Sequence, residues 1–133
     1  MDNEVNDGDY KKYYDLQKKL FDFAVNVIKL IRKLPKGKEY DVISYQLIKA
    51  ATSSGANYDE AQGAVSKPDF SNKIGIALKE MRESNYWIRI IIAITENHED
   101  WIKIRNESNE LMNILGSIYT KSSIHRNTEK NEK

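Results

Sequence analysis

The chain has 133 residues, of which 40% are hydrophobic and 31% charged; it contains no cysteine, and its net charge is +1. A chain of this length can bury a core as a single domain, and its apolar fraction is too high for an intrinsically disordered protein. Without cysteine, disulfides, zinc ribbons and thiol catalysis are excluded.

The chain start and the apolar runs predict where the protein resides. Residues 1–4 are acidic after the initial methionine, whereas a secretory signal is basic and then apolar. The longest aliphatic run, residues 90–94, is much shorter than the roughly 20 residues that span a bilayer. We therefore expect a soluble, cytoplasmic protein with no membrane partner.

Charge is distributed unevenly along the chain. Residues 1–9 carry four acids and no base, whereas residues 10–49 carry ten bases and four acids. A basic segment attracts phosphates, although clustered lysines on a helix also form an ordinary solvated face. The candidate nucleic-acid-binding residues are Lys11, Lys12, Lys18, Lys19, Lys29, Arg32, Lys33, Lys36 and Lys38.

Apolar residues recur at spacings of three and four through most of the chain, which predicts helices. Pro35 and Gly37 predict the end of the first helix, because proline disfavours helical geometry in the preceding residue and glycine is conformationally permissive. The apolar stripe of this helix is Tyr13, Leu16, Leu20, Ala24, Val27, Ile31 and Leu34.

The second predicted helix is rich in small residues, which occupy every position from 50 to 56. Small side chains let a neighbouring helix approach closely, so we expect tight packing here. The helix is predicted to end near Gly63. Its stripe is Tyr40, Ile43, Leu47, Ala50, Ser54, Asn57 and Ala61.

Two further helices are predicted. Ser66 and Asp69 resemble a capping box with Pro68 in the first turn, and Asp100 is the predicted N-cap of the fourth helix. The third stripe is Phe70, Ile74, Ala77, Met81, Ser84, Ile88, Ile91 and Thr95, and the fourth is Trp101, Ile104, Ser108, Leu111, Leu115 and Ile118. We predict an all-α, antiparallel up-down-up-down four-helix bundle over residues 10–120. Residues 1–9 are a predicted flexible acidic tail and residues 121–133 a flexible polar tail.

Residues 86–94 are apolar nearly all round the third helix, with Arg89 as their only charge. A helix of a solitary bundle keeps one face in water, so this pattern predicts that the outward face is covered as well. We infer self-association, and we expect changes at Trp87 or Ile91 to dissociate or unfold the protein. The alternative is a distorted bundle whose own helices wrap this segment.

The second and third predicted helices carry two sequence motifs. These are Asn57-Tyr58-x-Glu60-Ala61 and Asp69-Phe70-x-x-Lys73-x-x-Ile76-Ala77-Leu78-Lys79-Glu80-x-x-Glu83-x-x-Tyr86-Trp87. The pattern resembles that of the four-helix-bundle proteins encoded in intervening sequences of bacterial large-subunit ribosomal RNA genes. The resemblance implies a homopentamer of antiparallel bundles with no established enzymatic activity. A related branch of these proteins assists retroelement reverse transcriptases and binds nucleic acid.

The motif residues suggest a partly buried polar network between the second and third helices. Glu60, Glu80 and Glu83 would converge there on a lysine, and such a network fixes register and subunit geometry more than it adds stability. The alternative is surface pairing at i,i+4, of Asp69 with Lys73 and of Lys79 with Glu83. The candidate network and oligomer residues are Asn57, Tyr58, Glu60, Lys73, Lys79, Glu80, Glu83, Tyr86 and Trp87.

No residue pattern predicts catalysis or a metal site. A di-iron bundle needs Glu-x-x-His on two helices, but Thr95 stands three residues before His98, and Ser122 three before His125. The chain also lacks a glycine-rich phosphate loop. We expect a protein that is not an enzyme and that needs no metal or cofactor.

The sequence leaves three functional hypotheses. The first is a non-catalytic homo-oligomeric binding module that docks RNA, DNA or a nucleoprotein through its basic first helix. The second is a protein–protein scaffold or adaptor with no nucleic-acid role. The third is an enzyme that uses the carboxylates of Glu60, Glu80 and Glu83. We favour the first, because repetition around an oligomer would multiply weak phosphate contacts.

Overall fold

The structure, a computed structural model, describes residues 7–132 and the side chains of residues 15–123. Four helices occupy these residues: α1 (Asp7–Ile31), α2 (Lys38–Gln62), α3 (Lys67–Ile94) and α4 (Glu99–Glu132). Each helix packs against the next one in the chain, and α1 also packs against α4. The helices therefore form a four-sided antiparallel bundle in chain order, and the predicted fold is confirmed.

The helices extend beyond the predicted bundle limits at residues 10 and 120. α1 begins at Asp7, and α4 continues to Glu132 because no glycine or proline interrupts the chain after Gly116. Near this end, Ser122 Oγ donates a hydrogen bond to Ser71 Oγ at 3.3 Å. Residues 1–6 of the predicted acidic tail lie outside the described residues, and the flexibility of both tails stays a prediction.

The helix ends differ from the sequence predictions in two places. α1 ends at Ile31, before Leu34, because the backbone then tightens into turns: the amides of Lys33 and Leu34 donate to carbonyls three residues earlier at 3.0 Å. α4 begins at Glu99, and the amide of Ile102 donates to the carbonyl of His98 at 3.0 Å. The predicted N-cap role of Asp100 is therefore wrong. Its carboxylate lies in the first turn, where the helix dipole favours negative charge.

The predicted cap of α3 is present, with a shift of one residue. Ser66 Oγ accepts a hydrogen bond from the amide of Asp69 at 3.1 Å. The carboxylate of Asp69 accepts in return from the amide of Val65 at 3.2 Å, rather than from that of Ser66. Both side chains thus satisfy backbone groups where the chain turns from α2 into α3.

The core follows the predicted stripes closely in α3 and α4. Every position of the α3 stripe from Ile74 to Ile91 is buried, as is every position of the α4 stripe from Trp101 to Leu115. In α1, however, Phe23 is fully buried while Ala24 is only partly so, and in α2 Tyr58 is buried while Asn57 is only partly so. In both cases the larger apolar side chain of two adjacent candidates enters the core, because it removes more apolar surface from water.

Polar groups inside the bundle link neighbouring helices. Ser54 Oγ on α2 donates to the backbone carbonyl of Ala77 on α3 at 2.8 Å, and both residues are inaccessible to solvent. This contact confirms the close approach expected from the small residues of α2. Between α3 and α4, Asn85 Nδ2 donates to Ser108 Oγ at 2.8 Å. Such bonds satisfy buried groups and fix the register of the helices.

Candidate functional site

The candidate bases divide into two groups along α1. Lys18 Nζ lies 2.6 Å from Asp22 Oδ2, and this hydrogen bond raises the pKa of Lys18. Lys19 Nζ lies 3.4 Å from Glu110 Oε1 on α4. The charges of these two lysines are therefore partly neutralised within the chain. Two further candidates have side chains outside the described residues: Lys11 and Lys12.

The second group lies at one end of the bundle, which we call the basic end. Its members occupy the last turn of α1, the loop after it and the first position of α2: Lys29, Arg32, Lys33, Lys36 and Lys38. All five side chains are exposed, and none of them has an ion-pair partner among the residues that the structure describes. The basic end therefore concentrates unpaired positive charge where solvent can reach it.

Acidic residues reach the same end of the bundle through the turn between α3 and α4. Glu96, Glu99 and Asp100 are exposed there, across a cleft of about 600 Å³ whose other wall includes Lys33 and Tyr40. Tyr40 Oη donates a hydrogen bond to a backbone carbonyl at the end of α3 at 3.4 Å. The acidic turn repels phosphates, so the field that favours a polyanion is confined to the side of the α1–α2 loop.

The motif residues line the outer seam between α2 and α3. Lys73 Nζ on α3 lies 3.1 Å from Glu60 Oε2 on α2, so these two predicted members of the network do meet. Asn57 Nδ2 instead donates to the carbonyl of Ser53 on its own helix at 2.9 Å. Tyr58 points inward and is only 3% exposed, which makes it a core residue rather than part of a surface site.

The other acidic motif residues lie further along the same seam. Partial burial raises the pKa of Glu80, and the neighbouring Glu83 carboxylate adds to this effect, whereas Lys79 and Lys49 oppose it. Glu83 Oε1 accepts a hydrogen bond from Trp87 Nε1 at 3.4 Å. The seam therefore combines features of both interpretations: one inter-helix ion pair at Glu60, and carboxylates that interact within α3.

The surface pairing expected at i,i+4 takes a different form. Lys73 pairs with Glu60 across the seam instead of with Asp69, because the carboxylate of Asp69 is engaged at the start of α3. The hydrogen bond of Glu83 to Trp87 follows the same i,i+4 spacing that was predicted for Lys79 and Glu83. Spacing thus identified which side chains are neighbours, while the rotamers decide which of them bond.

The outward side of α3 exposes a row of large side chains, which we call the α3 outer patch: Ile76, Tyr86, Trp87 and Ile94. Tyr86 is 47% exposed and Ile94 44%, while Trp87 is partly exposed and also packs against the core. The rings of Tyr86 and Trp87 meet edge to face with centroids 5.1 Å apart. The alternative that the chain's own helices wrap this segment therefore does not describe the bundle. Ile91, by contrast, is fully buried in the core, so its replacement would test folding rather than subunit contact.

A second apolar surface was not identified from the sequence. A groove of about 320 Å³ lies between α1 and α2, and we call it the α1–α2 groove. Its principal lining residues are Phe21, Val25, Ile28, Thr52, Gly55 and Ala56. Phe21 is 68% exposed, although it lies within an otherwise regular amphipathic helix. The signal that could have revealed the groove is the pair of adjacent stripes on α1, of which a single bundle can bury only one.

A metal site and a membrane-spanning helix are the last two features considered. No three histidine, aspartate or glutamate side chains in the described part of the chain lie close enough to hold a metal ion. Among residues 7–132, no helix is both long and apolar enough to cross a membrane.

The chain is similar to known proteins over most of its length. Residues 12–117 match the model of the 23S rRNA-intervening sequence protein family. The fold is similar to that of a crystal structure of a protein of unknown function from the S23 ribosomal protein family of Bacteroides thetaiotaomicron. The two chains are 36% identical, the TM-score is 0.74, and the match covers 82% of this chain and 98% of the other. No curated protein matches the chain.

Proposed function

We propose that this chain, which belongs to the 23S rRNA-intervening sequence protein family, is a non-catalytic homo-oligomeric module that docks RNA or DNA through its basic end. The observation that carries this proposal is the group of five exposed, unpaired cations at that end. The family resemblance implies that the oligomer contains five copies.

The interaction would be one of phosphate neutralisation. Lysine and arginine side chains that displace counterions from a nucleic-acid backbone bind without reading its sequence. A single basic end offers few such contacts, so one copy would bind weakly. Copies held together in an oligomer act on one strand at a high effective concentration, which raises the overall affinity without new contacts.

The position of the paired charges limits where the strand would run. Lys18 and Lys19 already have carboxylate partners, so they contribute less to a phosphate site than the bases at the end of α1. The acidic turn between α3 and α4 disfavours a path over that side. The proposed contact therefore follows the α1–α2 loop, at Arg32, Lys33 and Lys36.

A salt titration with a matched pair of variants tests the proposal. The variant Arg32→Gln/Lys33→Gln/Lys36→Gln removes three bases from the basic end. The control Arg82→Gln/Lys103→Gln/Lys121→Gln removes the same charge from exposed positions elsewhere. Binding of a labelled RNA or DNA duplex is followed by fluorescence anisotropy at increasing salt.

We expect the wild-type protein to lose affinity steeply with salt. Replacing each phosphate-contacting base should reduce the slope of log K against log salt by about one, so the first variant should lose about three per subunit. The control should keep most of the slope. Equal losses in the two variants would show that only net charge matters, and binding that does not respond to salt would eliminate phosphate neutralisation.

The second candidate function, a protein–protein scaffold, is favoured by a different observation. The α3 outer patch places an aromatic pair at the surface, and such residues are typical anchors of protein interfaces. A pull-down that recovers one protein partner and survives nuclease treatment would support the scaffold over the nucleic-acid module.

A further inference from the structure

We propose that the α3 outer patch of one copy docks into the α1–α2 groove of a second copy, so that self-association joins two unlike surfaces. This inference rests on the proposed function, which already requires an oligomer, and it specifies the surfaces that form the contact.

The α1–α2 groove has the shape of a receiving surface. The side chains along its α2 wall are small, namely Thr52, Gly55 and Ala56, so the groove stays open between two closely packed helices. A Cβ atom placed on Gly55 would lie 3.5 Å from the Cβ of Leu20, which shows how near α1 lies. Phe21 stands at the edge of this groove with 68% of its surface exposed.

The apolar area beside the groove is large enough to matter for a stable contact. Tyr45 lies two turns before Thr52 on the same side of α2 and is 66% exposed, close to the 68% of Phe21. Aromatic side chains present about 150–250 Å² each when fully exposed, so these two rings offer roughly 100–170 Å² apiece. Together they would supply about a third of the roughly 800 Å² that each partner buries in a standard interface.

The α3 outer patch has the character of an inserting surface. Its aromatic pair is held edge to face, and Arg89 stacks over the ring of Tyr86 with 5.6 Å between the guanidinium carbon and the ring centroid. Side chains that are already fixed lose little conformational entropy when they bind. Tyr86 and Trp87 therefore form a preorganised aromatic pair, and Ile94 lies two turns after Trp87 on the same helix.

The polar groups around the groove do not oppose docking. Gln17 Nε2 donates to Asp59 Oδ1 at 2.8 Å across the groove edge, and Lys18 pairs with Asp22 on α1. Lys18 and Asp22 neutralise each other, so a second copy can cover them together. The carboxylate of Asp59 keeps its charge although Gln17 donates to it, so the docked copy must leave Asp59 in contact with water at the groove edge.

A second copy explains both exposed surfaces with one contact. A foreign partner that bound either surface would leave the other one in water. In a head-to-tail arrangement, each copy gives its patch to one neighbour and its groove to the other, so both are covered throughout the assembly. Head-to-tail contacts of this kind form either closed rings or open filaments.

The groove and the patch face different directions around the bundle. The groove faces outward between α1 and α2, whereas the patch lies on the outward side of α3, the next helix around the four-sided bundle. A head-to-tail contact between surfaces that face different directions turns each copy relative to the next, as a closed ring requires.

Complementary variants test the inference. The groove variant is Phe21→Glu/Ala56→Glu, and the patch variant is Tyr86→Glu/Ile94→Glu; all four positions are exposed. The control, Val65→Glu/Asn113→Glu, adds the same charge at exposed positions outside both surfaces. Circular dichroism checks folding, and light scattering coupled to size exclusion gives the mass of each sample and of an equimolar mixture of the groove and patch variants.

The wild-type protein and the control should assemble, and each of the two variants should be monomeric alone. Their mixture should form a dimer and stop there, because one intact patch then meets one intact groove. Its mass should be twice the 15.4 kDa of the chain. If a double variant loses its helical signal, Phe21→Glu and Tyr86→Glu replace the pair in the same mixing experiment.

Each contrary result has a distinct meaning. A groove variant that still assembles, or a mixture that stays monomeric with both chains folded, overturns the patch-to-groove contact while leaving self-association in place. A wild-type protein that is monomeric at micromolar concentration overturns the proposed oligomeric function and this contact together.

Discussion

The helix α2 has two sides built from the same kind of residue, and the bundle uses them in opposite ways. Towards α3, Ser54 is fully buried and bonds to the backbone of Ala77 at 2.8 Å. Towards α1, Thr52 and Ala56 remain exposed and border an open groove. Small residues allow close packing at single positions: Ser54 towards α3, and Gly55 towards α1, where an added Cβ would lie 3.7 Å from the backbone of Leu20. Beside Gly55, the small side chains of Thr52 and Ala56 leave the space that forms the groove.

Enlarging one residue on each side of α2 should have very different effects. Ser54→Leu should lower the free energy of unfolding by about 1–3 kcal/mol, because the added volume meets the backbone of α3. Ala56→Leu, two residues away on the open side, should change it by less than about 0.5 kcal/mol when both changes are made in the monomeric patch variant, where no second copy fills the groove. Urea titrations followed by circular dichroism at one fixed protein concentration measure both values. Similar losses in the two variants would mean that the open side is in fact closed.

Adding a methyl group at a helical glycine should have a smaller effect than enlarging Ser54. Gly55→Ala and Gly116→Ala should each raise the free energy of unfolding by about 0.5–1 kcal/mol, since glycine disfavours a helix by that amount. The new Cβ meets Leu20 at 3.5 Å in the first case and nothing within 4 Å in the second. Thermal or urea unfolding measures the change in unfolding free energy of each variant relative to the wild-type protein.

Gly75→Ala is the matched contrast for these two changes. Its Cβ would lie 2.9 Å from the ring of Tyr119, which must shift to make room. The gain in unfolding free energy should therefore be smaller than at Gly55, or become a loss. A full gain at Gly75 would indicate that the ring of Tyr119 moves freely.

The ion pair of Lys73 with Glu60, between α2 and α3, should contribute modestly to the free energy of unfolding. A double-mutant cycle with Lys73→Met and Glu60→Gln should give a coupling energy of about 0.2–1 kcal/mol, the range of exposed pairs. The pair of Lys19 with Glu110 is the control, because it is longer at 3.4 Å and both its side chains are more than half exposed. Its coupling should be smaller. A coupling well above this range for Lys73 and Glu60 would indicate a buried network.

The pH dependence of the free energy of unfolding should be the smallest of these effects. Burial raises the pKa of Glu80 and of Glu107 above the ordinary value of 4.5, so the folded protein holds these protons more tightly than the unfolded chain does. These two groups therefore favour the folded state at low pH, and their contribution declines as pH rises from 4.5 through the raised pKa values. Glu80→Gln or Glu107→Gln should make the pH profile of the unfolding free energy flatter above pH 4.5. Glu96→Gln, in the exposed turn, serves as the control, and an equal flattening there would contradict the assignment.

Much of the fold could be predicted because helical spacing reports burial directly. The stripe from Ile74 to Ile91 is correct at every position, because residues spaced by three and four lie on the side of α3 that faces its two neighbouring helices. Spacing was insufficient where two adjacent residues both satisfied it. At residues 23 and 24 either choice continues the stripe of α1, and the volume of Phe23 decides the outcome.

The candidate site was less predictable, for a physical reason. The seam residues Glu60 and Lys73 could be matched because their helices are consecutive and antiparallel. The acidic turn beside the basic end could not, because it is distant in sequence and reaches Lys33 only through the packing of the whole bundle. The exposed Phe21 was not predicted, because the spacing of apolar residues in α1 indicates which side chains face the core and gives no information about an apolar side chain outside that stripe.

The position of the α1–α2 loop has a consequence for any closed assembly of this chain. Rotation about an axis parallel to the helices carries every such loop to the same height, so all copies of Arg32, Lys33 and Lys36 would share one rim. The particle would then be a two-faced disc that approaches a polyanion from one direction only. Bound to a long nucleic-acid strand, the disc would have a fixed orientation, and its opposite face would point away from the strand.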